Sequence, residues 1–100
     1  MAKFRQAARI DKNQVEIVKA LRQIPGVTVE PGHDDILCGY KGKTYWYEIK
    51  SSRTVSQKTG EVRPSGITPS EKKRQDTWKG HYKIVWSLDQ ILKDMGIINP

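Results

Sequence analysis

The sequence predicts an α/β fold, a mixed four-stranded sheet flanked by helices in a single domain. Three observations lead there. Helical-period apolar stripes alternate with short strand-like runs in the order α-β-β-β-α-β-α. A chain of 100 residues has room for one modest core and little else. A helix stands between the third and fourth strands, so the last strand is expected to return through a helical crossover, beside and parallel to the second or third.

Residues 1–9 carry no periodic pattern and read as a basic arm ahead of a domain spanning 10–100. Asp11 opens the first helix, with Gln14 three residues on in a capping-box spacing. Val15, Ile17, Val18 and Leu21 form its apolar stripe, and Pro25-Gly26 stops it. Val27 to Glu30 is a short strand closed by Pro31-Gly32. Asp35 to Tyr40 and Lys43 to Lys50 form a hairpin about a tight Lys41-Gly42 turn. Ser51 to Gly66, almost devoid of apolar residues, is a long exposed loop. Thr68-Pro69-Ser70-Glu71 caps a helix running to about Lys79, where Gly80 ends it. Tyr82 to Trp86 is the fourth strand, and Ser87 caps a last helix through Met95.

Bulk composition narrows the function. Eighteen Lys and Arg against eleven Asp and Glu leave +7, which suits an anionic partner such as nucleic acid. The hydrophobic share of 36% is low for a stand-alone core, so a homodimer is expected. A lone Cys38 in an apolar run excludes an internal disulfide framework and a Cys-rich zinc site. No apolar stretch reaches signal-peptide or membrane-span length, so a cytoplasmic location and no membrane partner are expected.

The chemistry concentrates on the third strand. Its alternation puts Trp46, Glu48 and Lys50 on one face and Tyr45, Tyr47 and Ile49 on the other. The hairpin then brings Asp35, at the start of the neighbouring strand, beside Lys50. Phosphodiester hydrolysis needs a hard cation on oxygen ligands and an oriented water. Asp35, Glu48 and the Ile49 main-chain carbonyl supply such ligands, and Lys50 supplies a cation to orient the water or meet developing charge. On a purely structural reading, Glu48 and Lys50 are ordinary strand-edge charges that discourage aggregation.

The order Arg9-Ile-Asp-Lys-Asn-Gln14, Asp35-Ile-Leu-Cys-Gly39, Glu48-Ile-Lys50, Ile67-Thr-Pro-Ser-Glu71 and Trp78-Lys-Gly80, followed by a strand, Ser87 and a short helix, resembles the stand-alone VRR-NUC domains of the PD-(D/E)XK nuclease superfamily. The likeness spans roughly Arg9 to Met95. It implies a restriction-endonuclease-like αβββαβα core, dependence on Mg²⁺ or Mn²⁺, and cleavage of branched, flapped or four-way DNA by a dimer similar to Holliday-junction resolvases. It also implies a polar residue on the first helix facing the metal, for which Gln14 and Glu16 are the candidates. Gln14 doubles as a helix cap and Glu16 as a solvated charge. Where the family has Pro before the metal-binding Asp, this chain has Asp34, so either Asp34 or Asp35 is open as the main ligand. His33 and His81 read as loop residues.

Phosphate contacts are expected from Arg53, Lys58 and Arg63 in the loop and from Lys72, Lys73 and Lys79 beyond it. Arg74 belongs to the same basic run, and Gln75 is a further polar residue one turn beyond Glu71. Two other functional classes compete with the nuclease. One is a non-catalytic DNA- or RNA-binding module that keeps the fold, and the other is an accessory interaction domain. A pure binder gains little from carboxylates facing a phosphate.

Overall fold

The computed structural model describes residues 12–32 and 35–98. The basic arm, the Asp11 cap, His33 and Asp34 therefore lie outside the described residues. Three α-helices and four strands are present among those described: α1 (Lys12–Arg22), β1 (Thr28–Pro31), β2 (Asp35–Tyr40), β3 (Lys43–Ile49), α2 (Pro69–Thr77), β4 (Lys83–Val85) and α3 (Leu88–Asp94). The sheet order is β1-β2-β3-β4. The first three strands meander antiparallel, and β4 returns through α2 to lie parallel to β3. The expected mixed α/β sheet is present, and the fourth strand's neighbour is the third.

The β2–β3 hairpin fixes the register on which the site depends. Lys41 and Gly42 both adopt positive φ, 51° and 78°, as a two-residue turn between right-twisted strands requires. From that turn the pairing runs Tyr40↔Lys43 through Ile36↔Tyr47 to Asp35↔Glu48.

Side-chain alternation gives the sheet two unlike faces. One carries Val29, Ile36, Cys38, Tyr47, Ile49 and Val85, buried against Ile17, Val18 and Leu21 of α1 and Ile91 and Met95 at the end of α3. This is the core, and burial pushes the Cys38 thiol up to about 11, consistent with an inert packing residue. The opposite face carries Asp35, Leu37, Trp46, Glu48 and Ile84, and it is the face α2 meets. Nothing apolar pins α2, whose sequence PSEKKRQDT is polar all round.

Several elements differ in extent from the sequence expectation. β1 is shifted one residue forward. β4 is three residues long, with Tyr82 and Trp86 flanking it. α2 ends at Thr77 because Trp78 turns extended, with ψ 127°, while its N–H still donates to Arg74 O at 2.8 Å. The 51–66 connection is shaped rather than featureless. Short 3-10 turns stand at Ser52–Thr54 and Pro64–Gly66, and Val55 bridges Val62. The Trp86 indole N–H donates to Gly60 O at 2.9 Å, tying the tip of this connection to the body.

A histidine completes the sheet where β4 is too short. Trp46 N–H donates to His81 Nδ1 at 3.1 Å, so the ring proton resides on Nε2, which stands 2.6 Å from Asp94 Oδ2. Tyr47 Oη donates to the same carboxylate oxygen at 2.6 Å. Burial opposes the Asp94 charge, but the Tyr47 and His81 hydrogen bonds, with nearby Lys83, hold its carboxyl below the usual range.

Candidate active site

The site is built where β2 begins and β3 ends. Asp35 and Glu48 are direct cross-strand partners, with side chains on the same face. This corrects the expectation that Asp35 falls beside Lys50. Pairing counted from the Lys41-Gly42 turn aligns Asp35 with Glu48, and Lys50 lies just past the strand end, its N–H donating to Val85 O at 2.8 Å. Ile49 is buried between Glu48 and Lys50 in the last position of β3.

Glu48 is only 4% exposed; its Oε2 meets no N–H or hydroxyl donor, and its carboxyl hydrogen-bonds with that of Glu71. Tyr82 Oη approaches the other oxygen, Oε1, at 3.4 Å. Burial first, and then the negative charge of Glu71, push the Glu48 carboxyl up to about 8, against the pull of Lys50. Tyr82 is pushed up to about 12 by burial and by Glu48.

The third acid, Glu71, comes from the first turn of α2. Its N–H donates to Thr68 Oγ1 at 3.2 Å, and Thr68 N–H donates to Glu71 Oε1 at 2.9 Å, which makes a capping box. The same Oε1 lies 2.7 Å from Lys50 Nζ in a mostly buried ion pair. Burial works against the Glu71 charge, but the Lys50 and Thr68 hydrogen bonds outweigh it and hold the carboxyl below its ordinary value. Two buried acids beside one ammonium cannot both ionise cheaply, and here the proton rests on Glu48.

Asp35 is oriented from two sides. The Trp46 indole N–H donates to its Oδ2 at 2.6 Å, and Gly32 N–H donates to its main-chain oxygen at 2.6 Å. A Cβ at Gly32 would collide with the Asp35 carboxylate, so the chain passes this close only because residue 32 is glycine. Gln14, 2% exposed, donates through Nε2 to Gly32 O at 3.4 Å and so stands one residue contact away from Asp35.

Glu16 is not brought to this cluster. It is exposed on the other flank of α1 and lines a depression with Asn13, Ser52 and Trp86. Asn13 binds the end of the site strand, its Nδ2 donating to Lys50 O at 3.0 Å and to Trp86 O at 2.9 Å. Arg53, Lys58, Arg63, Lys72, Lys73 and Lys79 are all exposed, though Lys72 pairs with Asp76 at 3.0 Å. Gln75 is exposed on the outer side of α2, beside Pro64 and Ile67.

Sequence reasoning missed Glu71 as a site residue because a Glu at the third helical position is fully explained by capping. It missed Asn13 because a polar residue in a first helical turn has no distinctive spacing. The acids do not converge into a ready cage. Among the described residues, no group of three or more His, Cys, Asp or Glu side chains is arranged to hold a metal ion. Asp35, Glu48 and the Lys50–Glu71 pair instead form a row across the strand ends. No helix among the described residues is long and apolar enough to cross a membrane. Comparison with protein-family models, curated proteins and solved structures finds no match to this chain.

Proposed function

We propose that this chain is a divalent-metal-dependent DNA endonuclease of the PD-(D/E)XK type, similar to VRR-NUC domains, with Asp35, Glu48 and Lys50 at its centre. The observation that carries the reading is the buried Glu48 carboxyl, with no N–H or hydroxyl donor at one oxygen, paired across the sheet with Asp35 and flanked by Lys50. Burying a carboxyl beside a second acid is costly to the fold, and a hard cation relieves that cost. The residues thus fit Mg²⁺ or Mn²⁺: Asp35, Glu48 and the Ile49 main-chain carbonyl would hold it. When bound, such an ion neutralises the phosphate and lowers the pKa of a water.

The remaining work falls to the chain's own groups. Trp46 fixes the Asp35 carboxylate. Glu48, its proton released to solvent, would serve as a ligand. Lys50, held by Glu71, presents an ammonium to the phosphate or to the attacking water. Gln14 steadies the turn that carries Asp35. The exposed cations of 53–79 take the flanking phosphates without reading sequence. A restriction-endonuclease-like core and a dimer on branched or flapped DNA complete the reading.

The test is cleavage of flapped, four-way and linear DNA with Mg²⁺, Mn²⁺ or chelator. Metal-dependent cutting should fall by about 100-fold or more in both Asp35→Ala and Lys50→Ala, while Lys50→Ala still binds DNA. Cutting that survives in chelator or in both variants would remove the proposal. Binding without cutting by the unaltered chain would identify a nucleic-acid-binding module instead.

A further inference from the structure

Beside the row of acids lies a feature the hydrolytic chemistry does not use. Asp35, Ile36, Leu37, Trp46 and Trp78 line a depression of about 340 Å³ on the site face of the sheet. Its walls are apolar and open: Leu37 is 45% exposed and Trp78 51%. Trp78 is nonetheless held in place. Its ring meets Trp46 edge-on, with centroids 5.0 Å apart and planes at 83°. A positive charge borders the same spot, since the Arg74 guanidinium lies 4.7 Å from the centre of the Trp46 ring and 5.3 Å from that of Tyr82.

We infer that this depression is a stacking subsite for one unpaired nucleobase of a DNA strand whose backbone phosphate lies at the neighbouring Asp35–Glu48–Lys50 row. The inference rests on the endonuclease reading for the position of the phosphate. It adds the feature of the substrate that the site selects. The chemistry of the patch matches the two ends of a nucleotide. A flat apolar wall with an exposed indole takes the π-face of a base, and Arg74 and Lys50 supply positive charge on the side where the phosphate lies. The depression falls in the size range of small-ligand clefts, roughly 300–1,000 Å³. A paired base within a duplex shows the groove only its edge, because its faces are covered by its neighbours. Away from a duplex end, only a flap, gap or junction strand offers a free face. The site therefore favours DNA with an unpaired nucleotide next to the phosphate being engaged.

The experiment is fluorescence anisotropy of the full chain with labelled DNA, with Ca²⁺ or in chelator, comparing a flapped duplex with a blunt duplex. Trp78→Ala should weaken flap binding by about 5- to 100-fold, leave blunt-duplex binding unchanged, and be largely restored by Trp78→Phe. Walking a single abasic site along the flap should find one position that weakens binding of the unaltered protein to the same degree and has no further effect on Trp78→Ala. The part of this measurement made on the unaltered protein needs no variant to fold. Equal losses on both DNAs, a Trp78→Ala effect on self-association alone, or no sensitive abasic position would overturn the inference. A base-dependent flap preference without metal-dependent cutting would keep the subsite and remove the nuclease reading; cutting without base dependence would do the reverse.

Discussion

Glu48 sets the electrostatic terms of the site. A carboxyl buried to this degree, beside the negative charge of Glu71, is held neutral until pH approaches about 8. Its folded-state affinity for a proton exceeds the ordinary carboxyl value of 4.5, so the folded chain binds the extra proton between those limits. Its contribution to stability is then complete below about 4.5, declines as pH rises through about 8, and is flat beyond. In chelator, the melting temperature of the unaltered chain should fall over that window. Glu48→Gln should remove the slope and be more stable at pH 9 by on the order of 1–3 kcal/mol. A melting curve insensitive to the substitution at both pH extremes would contradict the burial argument. Mg²⁺ should flatten the slope in the unaltered chain only, because ion binding displaces the proton. Glu48 and Lys50 are legible in the sequence because strand alternation alone puts them on one face. Glu71 is not, since its contact with Lys50 depends on how α2 docks, which no local pattern encodes.

At the scale of elements, α2 is the unusual one. A helix without apolar residues has no hydrophobic reason to lie on the sheet. It is held by the Lys50–Glu71 ion pair, by Arg74 over the Trp46 and Tyr82 rings, and by Trp78 against Trp46. Glu71→Ala should therefore loosen the helix rather than unfold the domain. Amide exchange across Pro69–Thr77 should accelerate while β2 and β3 keep their protection, with a global loss of about 1–3 kcal/mol. Thr68→Ala removes only the cap and should cost about 1 kcal/mol or less. If both substitutions loosen α2 equally, the ion pair contributes nothing to docking. Element existence was readable from caps and periods, as Thr68-Pro69-Ser70-Glu71 and Ser87 show. Register was harder. The hairpin turn was identified correctly, but the partner of Asp35 follows only from counting pairs back from Lys41-Gly42 to Glu48, two residues short of Lys50. The 51–66 connection misled in a different way. Its order comes from one Val55–Val62 bridge and the Trp86 tether, both long-range in character and faint in composition.

For the whole molecule, charge and topology divide the labour. The apolar face of the sheet, closed by α1 and α3, holds the fold, and the opposite face carries Asp35, Glu48 and the docked α2. The net charge is +7, and among the described lysines and arginines all but Lys50, paired with Glu71, and the half-buried Arg74 are exposed. Nucleic-acid affinity should accordingly be steep in salt. If five or six of these cations meet phosphates, log K should fall against log salt with a slope of about −5, and Lys73→Ala should reduce that slope by about 1. Titrations at several KCl concentrations measure both, and a slope near zero would mean the charge serves solubility alone. Lys72, already paired with Asp76, should matter less than Lys73. The α/β class was legible because the order of elements leaves few alternatives. The choice of the third strand as neighbour of the fourth was not, because a crossover satisfies the handedness rule beside either candidate.

The imidazole of His81 carries a last consequence. One ring nitrogen is consumed by an amide of the site strand and the other by the aspartate of the final helix. No lone pair is left over, so this base is withdrawn from ligation and from proton shuttling. Among the described residues, the row at the strand ends offers carboxylate oxygens and the Lys50 ammonium. On the endonuclease reading proposed above, a cation at this site would meet oxygen ligands alone, the donor type that suits small, strongly hydrated ions.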